Sequence, residues 1–187
     1  MTEQECNVIT AEQIVAIRLE DDVVKLCKRH ATKADIRGRS NIETKRTKQE
    51  EYQLVGQLCE AATHLWFTGS IDEYDKRRRK LNKNPHKGDG GYDVIDKLGR
   101  RVDCKGSMMR GRAGTQLEDY MLYVRAKERH ADRYILCLCD PNTIGLVYLV
   151  GWWPDYLFNG KQQFLSGDQY RVSGHALYPM IVYWQIA

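Results

Sequence analysis

An α/β (α+β) sandwich is what the chain predicts, on three observations. Two stretches near the N-terminus repeat apolar residues at helical spacing. Several short runs with strand character follow, separated by Gly, Asn and Asp turn signals. At 187 residues the chain suffices for one domain with a real core and at most a small helical attachment. Helices first, then a mostly antiparallel sheet with helical pieces, is the expected architecture.

The elements follow in order. Residues 11–34 place Ile14, Ile17, Val24 and Cys27 at helical spacing, and a polar connection follows. A second helix is expected over 47–67, with Tyr52, Val55, Cys59, Ala62 and Trp66 as its apolar stripe and Gly69 as its stop. Residues 70–90 are polar and basic and read as a loop or a short helix leading into a turn. A hairpin comes next, then strands around 122–124 and 133–139, another along "NTIGLVYLVGWW", and a short one near 181–186. The chain divides into an N-terminal helical extension, 1–45, and a main domain, 46–187.

Composition narrows the setting. The formal charge of +4 permits a polyanionic partner without demanding one. No apolar run approaches the length of a membrane span, and the first ten residues lack the layout of a signal peptide. Six scattered cysteines without a CxxC pair read as reduced, buried thiols, with Cys137 and Cys139 on one face of a strand. A soluble, cytoplasmic protein is the expectation.

The chemistry concentrates in "GGYDVIDKLGRRVDCKGS", Gly90 to Ser107. An acidic residue two before a lysine occurs twice, at Glu43 and at Asp103, which is what chance supplies at this composition. Setting separates them. Glu43 falls in a polar connection, whereas Asp103 and Lys105 alternate with Val102 and Cys104 along a strand. A three-residue turn, Lys97-Leu98-Gly99, pairs Val94 with Val102 and sets Asp93 opposite Asp103. Their Cβ atoms then lie about 5 Å apart, which is destabilising unless a positive charge sits between them. A divalent cation with hard oxygen ligands, Mg²⁺ or Mn²⁺, is the obvious candidate. Lys105 lies on the same face and is placed to orient or activate a water. A solvated surface hairpin is the competing reading.

These residues resemble the PD-(D/E)XK nuclease superfamily, in particular its small phage-type and restriction-endonuclease-like members. The likeness rests on "GDGGYD" followed by "DCKGS", with Tyr92 where the family name has Pro. It extends upstream to "LVGQLCEAATHLW" and downstream to "HADRYILCLCD", "GLVYLVGWW" and "YRVSGHALYPM", over about residues 50–180. The resemblance implies a central mixed β-sheet flanked by helices and Mg²⁺-dependent hydrolysis of DNA phosphodiester bonds by an endonuclease. It implies that Glu60, Asp93, Asp103 and the Cys104 backbone carbonyl hold one or two Mg²⁺ (or Mn²⁺) ions. Glu60, Asp93, Asp103 and Lys105 are then the catalytic set. On a helical wheel Glu60 falls on a flank of the apolar stripe, where a solvated Glu is the alternative.

Phosphate contacts are expected from Lys76, Arg77, Arg78 and Arg79 before the site and from Arg110 and Arg112 beyond it. The histidines have no partner at metal-ligand spacing and read as structural or solvated; of Trp152 and Trp153, one ring is expected in the core and one at the surface. The expected partner is DNA, without a membrane, and a homodimer is compatible with the family. A non-catalytic nucleic-acid-binding or repair module on the same fold, a junction resolvase and an RNA-directed nuclease are the alternatives.

Overall fold

The computed structural model describes residues 9–35, 43–83, 90–109, 116–159, 164–165 and 169–184. The fold is mixed α/β, a central mixed sheet with helices against it. The chain opens with a 3₁₀ turn and strand β1 (Val15–Arg18), then helices α1 (Asp21–Asp35), α2 (Glu43–Thr68) and α3 (Asp72–Lys83). Strands β2 (Val94–Ile95), β3 (Arg101–Met108), β4 (Met121–Arg125), β5 (Arg133–Cys139) and β6 (Leu146–Pro154) follow. The last elements are β7 (Phe164–Leu165), β8 (Gln169–Ser173) and β9 (Tyr178–Pro179). Among the described residues no helix is long and apolar enough to cross a membrane.

The main sheet has the order β1-β6-β5-β3-β2, with β9 also on β6; a second sheet has the order β4-β8-β7. All pairings are antiparallel except β3 with β5, which is parallel. Strand β5 is buried at every residue, as a central strand covered on both faces should be. Ile135, Cys137 and Cys139 point into one core with Leu58, Cys59 and Phe67 of α2. Tyr134, Leu136 and Leu138 point into another with Leu122 and Val124 of β4. Helices, main sheet and small sheet therefore form three layers around two cores.

Three expectations change. Residues 15–18 form a strand rather than the start of a helix, because Val15 and Ile17 alternate with exposed Ala16 and Arg18 and pair with β6. Over so short a run, spacings of two and of three to four are easily confused. The N-terminal segment thus adds a strand to the main sheet, and α1 packs on α2. Near the C-terminus the short strand lies at Tyr178–Pro179; Met180–Val182 is a 3₁₀ turn and residues 185–187 lie outside the described residues. Trp152 and Trp153 are both buried, on opposite faces of β6 and in different cores.

Candidate active site

The hairpin has the register expected from its turn. Val94 pairs with Val102 and Ile95 with Arg101, and Gly99 takes the left-handed conformation at φ 78°. Asp96 locks the turn: its Oδ1 accepts from the N–H groups of Leu98 and Arg100 at 2.8 and 2.9 Å. Its Oδ2 accepts from Arg100 Nε at 2.7 Å and from the Tyr183 hydroxyl at 2.9 Å. One residue before β2, the Asp93 N–H donates to the Val102 carbonyl at 2.8 Å. The Asp93 carboxylate reaches across the ladder and takes the Cys104 N–H at 2.8 Å.

That places the Asp93 carboxyl group close enough to that of Asp103 for each to shift the other's titration. Lys105 Nζ lies 2.8 Å from Asp103 Oδ2, on the same face of β3. From the other side, α2 brings Glu60, whose carboxyl lies close enough to that of Asp93 for each to shift the other's titration. The approach of α2 depends on Gly106: a Cβ there would stand 2.7 Å from the Cys59 sulfur, so only glycine lets helix and strand lie this close. Glu60, Asp93, Asp103 and Lys105 thus form one connected chain of contacts.

Glu60 is 2% exposed, not a solvated flank. Its far side is covered because residues 72–83 form a helix, α3, whose buried Tyr74 caps the same region. The Tyr74 hydroxyl donates to Gln57 Oε1 at 3.0 Å, tying α3 to α2. One turn later Arg78 forms an ion pair with Glu60, its Nε donating to Oε2 at 2.5 Å. Arg77 donates to the Tyr92 carbonyl, and its guanidinium lies 4.6 Å from the centre of the Tyr92 ring. Of the basic run expected to meet phosphate, Arg77 and Arg78 therefore turn inward, while Lys76 and Arg79 project outward with i,i+3 and i,i+4 carboxylate partners, Glu73 and Asp75. Arg110 and Arg112 lie outside the described residues.

Two residues take places that the sequence did not give them. Arg78, expected to meet phosphate, pairs with Glu60 instead; the spacing Tyr74, Arg78, Leu81 marks the inward helical face that puts it there. His64, read as structural or solvated, is the other. It is 3% exposed, one turn beyond Glu60, and its Nε2–H donates to the Asp93 carbonyl at 3.0 Å.

Charge in the cluster is uneven. Like charges held side by side in a buried site repel one another, which raises the cost of ionising both. Burial pushes Asp93 up, but hydrogen bonds to Glu60 and from the Cys104 N–H, with the charge of Arg78, outweigh it and hold Asp93 below the usual carboxyl range. Glu60 is raised well above that range by burial and by the charge on Asp93, despite Arg78. Asp103 is pushed up to about 8 by burial and by Asp93, with Lys105 pulling back. Asp93 is thus the member of the cluster that ionises most readily, and its charge raises both neighbours.

Among the described residues no group of three His, Cys, Asp or Glu side chains is arranged to hold a metal ion. Carboxylate oxygens such as those of Asp93 and Asp103 are the donors that a hard cation would take. Glu60 is engaged by Arg78, which leaves Asp93 and Asp103 as the pair best placed for an ion. No protein-family model matches the chain, and neither curated proteins nor solved structures give a match.

Proposed function

We propose that this protein is a metal-dependent nuclease of the PD-(D/E)XK type that hydrolyses DNA phosphodiester bonds, acting as an endonuclease. The observation that carries this reading is the convergence of Asp93, Asp103 and Lys105 on one hairpin face, with Glu60 joined to Asp93 from α2. A structural hairpin gains nothing from carboxyl groups buried close together. A site that takes up a divalent cation does.

In this reading Asp93 and Asp103 would hold Mg²⁺ or Mn²⁺, with the backbone carbonyl of Cys104, the residue after Asp103, as a further ligand. When bound, the ion supplies charge stabilisation at the scissile phosphate and lowers the pKa of a bound water. Lys105, held 2.8 Å from Asp103, positions that water and offsets negative charge developing on the phosphate. Cys104 contributes no side-chain chemistry, because its side chain packs against the helix-side core. Glu60 supports Asp93 from α2, where the Arg78 guanidinium pairs with it.

A second reading has one observation in its favour. The Arg78–Glu60 pair closes one side of the cluster, as it would in a non-catalytic nucleic-acid-binding module that kept the fold. A Mg²⁺ titration by calorimetry, run beside DNA cleavage, separates the two. The enzyme reading expects Mg²⁺ binding in the parent protein and loss of both binding and cleavage in Asp93→Ala. Absence of Mg²⁺ binding to the folded parent protein would favour the non-catalytic module.

A further inference from the structure

Glu60 has neighbours of both charges. Asp93 lies beside it, and Arg78 of α3 covers it. The guanidinium commits two donors to one oxygen: Nε donates to Glu60 Oε2 at 2.5 Å, and Nη2 donates to the same atom. Exposure within the pair is unequal, 2% for the Glu60 side chain and 20% for that of Arg78. The guanidinium thus stands between the carboxylate and solvent. Helix α3 has other anchors. The Tyr74 hydroxyl ties it to Gln57 of α2 at 3.0 Å, and the His30 ring of α1 bridges its Asp75 and Asn82 at 3.1 and 3.0 Å. A change of rotamer can therefore carry the guanidinium outward while α3 stays docked.

A guanidinium and a divalent cation ask the same thing of Glu60, a carboxylate oxygen to neutralise. Crowded onto one carboxylate they repel each other, so they are alternatives. Among the described residues no three His, Cys, Asp or Glu side chains are arranged to hold an ion, and Glu60 is turned to Arg78. Lys105 makes a comparable contact with Asp103 at 2.8 Å, but the two share one strand. Arg78 comes from a separate element, 18 residues beyond Glu60.

We propose that Arg78 is a built-in counter-ion that competes with the divalent cation for Glu60, so that the ion gains this third carboxylate only when the guanidinium swings out. The proposal rests on the metal-dependent reading above. Until an ion binds, Arg78 offsets the negative charge buried between helix and hairpin. The contact lowers metal affinity by as much as it is closed. If it is closed in about 90–99% of molecules, the apparent affinity falls about 10- to 100-fold.

Calorimetric titration of the whole chain with Mg²⁺ alone, without DNA, tests this. Arg78→Gln should bind Mg²⁺ about tenfold more tightly than the parent protein, or better. Arg78→Lys keeps the charge but lacks the fork, and should fall between the two. Arg78→Gln/Glu60→Gln should lose the gain, because the contact acts through Glu60. Arg77→Gln removes the same charge from the preceding residue, which donates to the Tyr92 carbonyl, and should change the affinity little. The parent protein supplies a measurement that needs no variant. As Mg²⁺ saturates it, the NMR signal of the Arg78 Nε–H should move and exchange faster with water. Unchanged affinity in folded Arg78→Gln, or an unmoved Arg78 signal at saturation, would overturn the proposal and leave the metal-dependent reading in place. So would an equal gain in Arg77→Gln, or a gain that survives the loss of Glu60. Absence of Mg²⁺ binding by the parent protein and Arg78→Gln alike would overturn both.

Discussion

In the proposed nuclease, Asp103 is the residue on which metal binding would turn. The unfolded chain releases this proton near an ordinary carboxyl value of about 4, whereas the folded protein keeps it to about 8. The stability that Asp103 contributes is therefore full below pH about 4 and is lost as the pH rises through about 8. A cation at Asp93 and Asp103 must displace that proton. Mg²⁺ affinity should accordingly rise roughly tenfold per pH unit up to about pH 8 and then level off. Calorimetric titration at pH 6, 7, 8 and 9 checks this, and an affinity independent of pH would contradict it. Lys105 faces a different test. Lys105→Ala should abolish Mg²⁺-dependent cleavage while circular dichroism shows the fold kept, since the side chain is partly exposed.

At the scale of elements, the site exists because α2 lies unusually close to β3. Gly106→Ala should destabilise the protein by about 1–3 kcal/mol by overpacking, because its Cβ meets the Cys59 sulfur at 2.7 Å and Val55 at 3.3 Å. Cys59→Ala in the same chain removes the sulfur and should recover part of that loss. Chemical denaturation of the single and double variants measures both effects, and no recovery would mean that the helix is positioned by something else. The hairpin was legible in the sequence because its register follows from one local turn, Lys97-Leu98-Gly99, and strand alternation does the rest. The environment of Glu60 was not legible. Its burial depends on α3, a helix of low mean hydropathy whose basic run reads as solvated until Tyr74, Arg78 and Leu81 are seen to share a face. Strand β1 was missed for a related reason, since its four residues take their identity from pairing with β6, far away in sequence.

Across the whole molecule, the three layers leave the carboxylate cluster between helix and sheet, with the small sheet packed on the opposite face of β5. The order of helices and strands made the mixed α/β class readable from the sequence. The parallel pairing of β3 with β5 was beyond composition and periodicity, because it joins segments with β4 and two 3₁₀ turns between them. Rigid support for Asp103 and Lys105 comes from that parallel partner, and chemistry at the hairpin is the central claim. Incubation of the purified protein with supercoiled, linear, single-stranded and branched DNA tests it most directly, each substrate with Mg²⁺, Mn²⁺ or EDTA and beside an Asp103→Ala control. The account predicts cleavage of at least one DNA form with Mg²⁺ or Mn²⁺, none in EDTA and none by Asp103→Ala. Cleavage by Asp103→Ala at the parent rate, or no cleavage of any form with either metal, would contradict it.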